Sequence, residues 1–325
     1  MSKQTRFLDG PSFLLSILLC GSVSVVQAAP ATVLAPVVDV KGPVMWAGPG
    51  AAKSTPLRRG AALPEGSVVS TGADGRVMLS PVPGIAVSVA KSTSVSVAHL
   101  TVVKIGDSIR ERQAALKLES GSLSFSIEKG NSSKTTFTVI TRQGTMSAQH
   151  SVGTISASGS SVMIAALSGT VSFTAKGSKT AIAIEPGACL TASGDGLNAQ
   201  ICVINAVSGT TVDYSADGTP LGTHRATARE LASVRGLFAA ALAHAVLAVS
   251  DRLLSSAEVA GLMTILTEIN QTFAAAGLAS IETTTSGAPA PASSNSAEVA
   301  TAPPSFTGGS ANPANTSGAI ISRER

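Results

Sequence analysis

From about residue 32 to residue 205 the chain alternates apolar and polar side chains in short runs, each closed by Gly, Pro or Asp. That two-residue period is the pattern of strands with one buried face, and it leaves little room for any fold but a β-fold. Val37-Val38-Asp39-Val40 and Val44-Met45-Trp46 flank the turn signal Gly42-Pro43. Ile85, Val87 and Val89 alternate after Pro83-Gly84, and Val95 and Val97 continue the period. Leu116 and Leu118, then Leu123, Phe125 and Ile127 beyond Gly121, repeat it, as do Phe137, Val139 and Thr141. Val162 to Leu167, Val171 to Phe173 and Ile182 to Ile184 complete the set. One-face alternation favours antiparallel pairing with one solvated side. The prediction is mainly β: an antiparallel sandwich, or a short solenoid-like stack, since no strict repeat period is visible. Residues 101–115, with Asp107 and Arg110-Glu111-Arg112, break the alternation and are predicted as a loop. Asp74-Gly75 and Asp195-Gly196 are predicted hairpin turns.

Near residue 223 the period changes. Leu231, Val234, Phe238, Leu242, Ala245 and Val249 recur at three- and four-residue steps, as do Val259, Leu262, Leu266, Ile269 and Phe273. Two amphipathic helices follow, predicted as an antiparallel hairpin over 223–282. Ser255 with Glu258 is a capping-box signature, and Gly277 suits the end of the second helix. The stretch 236–249 is Ala- and Leu-rich but short for a membrane span and contains His244, so a packed helix is expected. Narrow apolar stripes must pack on something, either the β-region or a second copy, so a homo-oligomer through 223–280 is one expectation. The Gly- and Ser-rich stretch 208–222 is predicted as a linker, and 283–325, poor in large apolar residues, as a disordered tail.

The N-terminus carries an address. Lys3 and Arg6 precede an apolar run over 12–26, and Val26-Gln27-Ala28 sets small residues before a cleavage point at Ala28–Ala29. Residues 1–28 are therefore predicted as a signal peptide, leaving 29–207 as the β-domain of a periplasmic or secreted protein. Once Cys20 departs with the signal, Cys189 and Cys202 are the two remaining cysteines, in an oxidising compartment. A two-residue turn at Asp195-Gly196 would set 189 opposite 202, so a Cys189–Cys202 disulfide is expected.

Composition limits the chemistry. Charged residues are 13% and the net charge is +4 with the basic residues scattered, so no nucleic-acid-binding patch is present. Aromatics are 3%, so the core rests on small and β-branched side chains. His99, His150, His224 and His244 stand in no metal-ligand spacing, and Cys189 and Cys202 are too far apart for a CxxC pair. Ser88-Val89-Ala90-Lys91 matches S-x-x-K, but that motif works at a helix start, and in a strand it separates Ser and Lys onto opposite faces. Arg58-Arg59 reads as a solvated edge. No catalytic residues and no cofactor or metal site are predicted.

Leu57-Arg58-Arg59-Gly60, Leu63, Gly66-Ser67-Val68-Val69 and Thr71-Gly72-Ala73-Asp74-Gly75-Arg76-Val77, followed by Leu79, resemble the opening of the FecR domain family. Leu116, Leu118, Ser120-Gly121 and Leu123 continue the resemblance, followed by Phe137, Val139, Thr141, Gly144 and Gly153-Thr154. Leu167, Gly169, Val171 and Pro186-Gly187 close it, so that it covers about residues 35–192. The resemblance implies a non-enzymatic protein-binding module of the bacterial periplasm or cell surface, with no cofactor and no catalytic residues to carry over. Family members that regulate sigma factors place a cytoplasmic segment and a membrane helix ahead of this domain, where this sequence has its signal-peptide pattern. The expectation is therefore first a binding or structural role towards another envelope protein or a cell-wall polymer, and second a periplasmic regulator in cell-surface signalling to a sigma factor.

Overall fold

The computed structural model describes residues 30–129, 134–194, 199–250 and 254–282. The predicted signal peptide with its Ala28–Ala29 cleavage point, the Asp195-Gly196 turn and the tail 283–325 lie outside the described residues. Among the described residues, eighteen strands precede two helices. The first nine strands are β1 (Pro30–Thr32), β2 (Ala35–Lys41), β3 (Val44–Ala47), β4 (Thr55–Pro56), β5 (Ala62–Leu63), β6 (Val68–Thr71), β7 (Arg76–Leu79), β8 (Ile85–Val89) and β9 (Ser94–Ile105). They are followed by β10 (Ser108–Ile127), β11 (Lys134–Ile140), β12 (Gly144–Ser158), β13 (Ser161–Ala175), β14 (Ala181–Ile184), β15 (Ala188–Ser193), β16 (Gln200–Asn205), β17 (Thr210–Tyr214) and β18 (Pro220–Arg225). The helices are α1 (Ala228–Ser250) and α2 (Ser256–Ala275).

Three long strands organise the sheet by changing partners midway. The first half of β10 pairs with β9 and β11, and its second half with β8 and β12. Along β12 the pairing passes from β11 to β10, and along β13 from β15 to β14. The pairings close into one continuous mixed sheet. Pairing is antiparallel as predicted, except that β11 runs parallel to β10. Inward-facing Leu79, Val87, Leu116, Phe125, Phe137, Ile155, Phe173 and Leu190 form the main core. Phe125 and Phe137 meet there with ring centroids 5.4 Å apart and planes tilted by 47°, an arrangement aromatic pairs favour.

A second core lies on the outer face of the sheet, under the helices. Val152, Ala165, Leu167, Cys189 and Ile204 face Leu231, Val234, Phe238 and Leu242 of α1 and Leu262, Leu266, Ile269 and Phe273 of α2. This explains why 162–167 is a nearly unbroken apolar run. Ile164 and Ala166 face the main core while Ala165 and Leu167 face the helices, so no polar alternation is required. The apolar stripes of the helices thus find their partner in the sheet, and β-region and helices form one compact unit within Met1–Thr284. Val249, placed in the α1 stripe by spacing, is instead exposed at 39%. Residues Ala228–Val249 are long and apolar enough to cross a membrane by length and composition, yet α1 buries Phe238 and Ala241 completely against the sheet.

Both helix starts are capped. Ser255 and Glu258 form the predicted box. Thr227 and Glu230, with the same three-residue spacing, form a second one: the Glu230 carboxylate accepts from the Thr227 N–H at 2.7 Å, and the Thr227 hydroxyl accepts from the Glu230 N–H at 3.2 Å. At the end of α2, Gly277 adopts φ +73° while the Leu278 N–H reaches the Phe273 carbonyl at 2.8 Å, the Schellman closure that a glycine permits.

Three predicted boundaries are corrected. Residues 101–115 are not a loop but most of the β9–β10 hairpin, which turns at Gly106-Asp107. Lys104, Arg110, Glu111 and Arg112 lie exposed or half-exposed there, so the arm needs no apolar alternation. Residues 208–222 are not a linker but the greater part of the β17–β18 hairpin. Its signals were Thr210-Thr211-Val212 and Asp217-Gly218, with Gly218 at φ +87°. Asp74-Gly75 is not a hairpin turn, because β6 pairs with β3 and β9 whereas β7 pairs with β2 and β8. It is a crossing between non-neighbouring strands that presses on the Gly42-Pro43 turn, where a Cβ on Gly75 would meet the Pro43 carbonyl oxygen at 2.2 Å.

Candidate functional site

The structure separates the two predicted disulfide partners. In the β15–β16 pair Cys189 faces Ile204 and Cys202 faces Thr191, so the register is offset by two residues from the one expected. Cys189 and Cys202 are thus diagonal neighbours on one face. Such positions are about 7–8 Å apart, beyond the usual reach of a disulfide, and both cysteines are free. Cys189 is fully buried, and loss of hydration pushes its thiol far up, with Cys202 adding to the shift. Cys202 is half-buried. Burial raises its thiol against the Thr191 hydroxyl, 2.8 Å away, and the carboxylates of Asp213 and Glu230 raise it further. Neither is an activated nucleophile. Intact-mass counting after alkylation under non-reducing conditions, on protein lacking residues 1–28 and hence Cys20, is expected to find slow labelling of Cys202 alone in the folded protein and two labels per chain once it is denatured. Zero labels in denatured protein would establish the 189–202 bond and refute this register.

The histidines are dispersed. His99 lies 3.0 Å from Glu65, and His150 approaches the Glu128 carbonyl at 3.2 Å. His224 lies 3.6 Å from Asp213 and 3.8 Å from Glu230. Burial raises Glu230, but the Thr227 N–H and hydroxyl and the adjacent His224 outweigh it and hold the carboxyl below its usual range. That carboxylate is engaged in capping α1. Among the described residues no three His, Cys, Asp or Glu side chains gather in a geometry fit for a metal ion.

The fourth, His244, is the exception in environment. It sits on the buried side of α1 at 1% exposure, with the Ala86 backbone as the polar group beside its ring. Loss of hydration holds its imidazole down at about 4, against a small opposing pull from the Ala86 backbone and with the Arg76 charge adding to the effect. It lines a cavity of about 400 Å³ together with Arg76, Ser88 and Lys91. Ser88 and Lys91 therefore share one cavity, contrary to the opposite-face expectation. The strand ends at Val89, and Lys91 belongs to the turn beyond it. Ser88 is itself tied up, its hydroxyl accepting the Arg76 Nε–H at 3.0 Å. Sequence spacing could not reveal this grouping, because His244 joins it across more than 150 residues of chain. Arg58 and Arg59 are exposed, as predicted for a solvated edge.

Comparison with known proteins adds a match over part of the chain. Two crystal structures of candidate anti-sigma factors from Parabacteroides distasonis resemble the chain at low similarity. One has a TM-score of 0.32 and 14% identity over 42% of this chain and 59% of its own. The other has a TM-score of 0.33 and 12% identity over 52% of this chain and 90% of its own. No curated protein matches the chain. Residues 67–172, which run from the residue before β6 through the first four-fifths of β13, match the family model described as FecR protein, so this third of the chain is similar to a FecR domain.

Proposed function

We propose that the chain is an exported, non-enzymatic protein-binding module of the bacterial envelope, built on its FecR domain. The observation that carries this reading is the family match over 67–172. The signal-peptide pattern of residues 1–28 supports export. A regulatory role in cell-surface signalling to a sigma factor is the form of protein binding that the family match favours over attachment to a cell-wall polymer. Crosslinking in intact envelopes, followed by capture of the tagged full chain, tests the reading. Recovery of a sigma-factor regulator or an outer-membrane receptor is the expected result. Recovery of peptidoglycan fragments without protein would overturn it.

A further inference from the structure

Strand β18 pairs with β17 along one edge, and among the described residues no strand is paired with its other edge. All six residues from Pro220 to Arg225 are exposed, and Leu221, at 70%, is the most exposed large apolar side chain among the described residues. An open edge of this kind is a template for a further strand, and folded proteins normally blunt it. Here the blunting is confined to one end, where Pro220 sits beside a bulge. The Ala226 N–H donates to the Gly209 carbonyl at 2.9 Å, so by the alternation of an antiparallel ladder Gly222 and His224 bond to β17. The main-chain groups of Leu221, Thr223 and Arg225 therefore point away from the sheet.

This edge is complementary to itself when read antiparallel. About an axis at Thr223, Thr223 meets the partner's Thr223, Gly222 the partner's His224, and Leu221 the partner's Arg225. Paired threonines are favoured across strands. Nothing lies within 4 Å of a Cβ built on Gly222, which leaves room for an imidazole. The methylene stem of Arg225 would cover the partner's Leu221. The ends are matched in charge as well. Asp217, in the β17–β18 turn, is exposed, and hydrogen bonds from the Ser215 hydroxyl and the Thr219 N–H hold its carboxyl below its usual range. Arg225 and Arg229, both exposed, lie at the opposite end. Antiparallel pairing sets each acidic end beside a basic one, whereas parallel pairing would set like charges together.

We propose that β18 binds β18 of a second copy of this chain, antiparallel about a two-fold axis at Thr223, so that the two sheets run on into one another. Each strand extends the other's edge through main-chain hydrogen bonds. The contact is isologous and closes at two copies. The helices take no part in it, unlike the helix-mediated oligomer expected from their apolar stripes. The dimer goes beyond the protein-binding role above and does not depend on it.

Sedimentation equilibrium of protein lacking residues 1–28, with no other component present, tests it. A contact made by one short strand falls below the usual interface size, so a dissociation constant on the order of 0.1 mM is expected. High salt should weaken the dimer by screening its charged ends. Thr223→Pro removes the N–H at the axis and leaves the side bonded to β17 intact, so it should weaken dimerisation by roughly tenfold or more. Leu221→Lys, at an exposed position, should do the same by blunting the edge. Thr223→Cys reads out the register. At a hydrogen-bonded pair the Cα atoms are about 5.5 Å apart, within disulfide reach. With oxidised glutathione as the oxidant, two such thiols join and two molecules of reduced glutathione leave. The linked dimer should form much faster than from Asp107→Cys, at the exposed tip of the β9–β10 hairpin. Three results would overturn the proposal: a monomer up to about 1 mM, a dimer as strong in both Thr223→Pro and Leu221→Lys as in the parent, or equal rates of linkage from Thr223→Cys and Asp107→Cys.

Discussion

Phe238→Ala is expected to lower the unfolding free energy by about 3–5 kcal/mol, the range for truncating a fully buried Phe. Phe238 has no exposure and sits in the core between α1 and the outer face of the sheet. The larger expectation is cooperative. Helix stripes and sheet share that core, so helical and β circular-dichroism signals should fall together in urea, with a lower midpoint and unchanged slope. A loss under about 1 kcal/mol, or a helical transition that precedes the β transition, would mean that the helices do not belong to the same folding unit.

His244 should make stability sensitive to mild acid. The folded protein holds this imidazole neutral down to about pH 4, whereas its ordinary value is 6.5. Between those values the unfolded chain takes up a proton that the folded one excludes, so stability falls as the pH drops through the window. A gap of that size corresponds to about 3 kcal/mol once the pH reaches the lower value. Above pH 6.5 both states are neutral and the contribution vanishes. The Arg76 charge opposes protonation of the ring and the Ala86 backbone favours it, while Lys91 and Asp74 on the rim of the same cavity are exposed to solvent. His244→Leu, similar in bulk and without a titrating group, should flatten the decline in unfolding free energy between pH 6.5 and 4. Parallel declines in parent and variant would show that other groups control acid stability.

Much of this architecture is legible in the sequence wherever one residue's environment is set by its near neighbours. Alternation located the strands around Phe125, Phe137 and Phe173. The pair Ser255 and Glu258 marked the start of α2, and Gly277 its end. What failed depended on remote parts of the chain. Asp74-Gly75 has the composition of a hairpin turn, but the strands beside it are claimed by partners far away in sequence. The Cys189–Cys202 register failed for a different reason. A shift of two residues preserves every inward and outward assignment, so the apolar pattern cannot distinguish 189 opposite 202 from 189 opposite 204. Charged residues on the β9–β10 arm hid two strands because between Val102 and Ala114, which are buried, the arm has no buried residue to mark an alternation. The cavity lined by Arg76, Lys91 and His244 exists only after α1 has docked, and no local pattern announces it.

The midway change of partners along β10, β12 and β13 also governs how fast the chain can reach this state. Each of these strands completes two neighbourhoods at once, so no early stretch of chain can finish its share of the sheet before later stretches arrive. Joining β10 to β8 and β2 to β7 closes loops of about 40 residues, and the loop entropy must be met before these contacts repay it. Folding is therefore governed by distant pairings and belongs to the slow range of milliseconds to seconds typical of non-local β topologies.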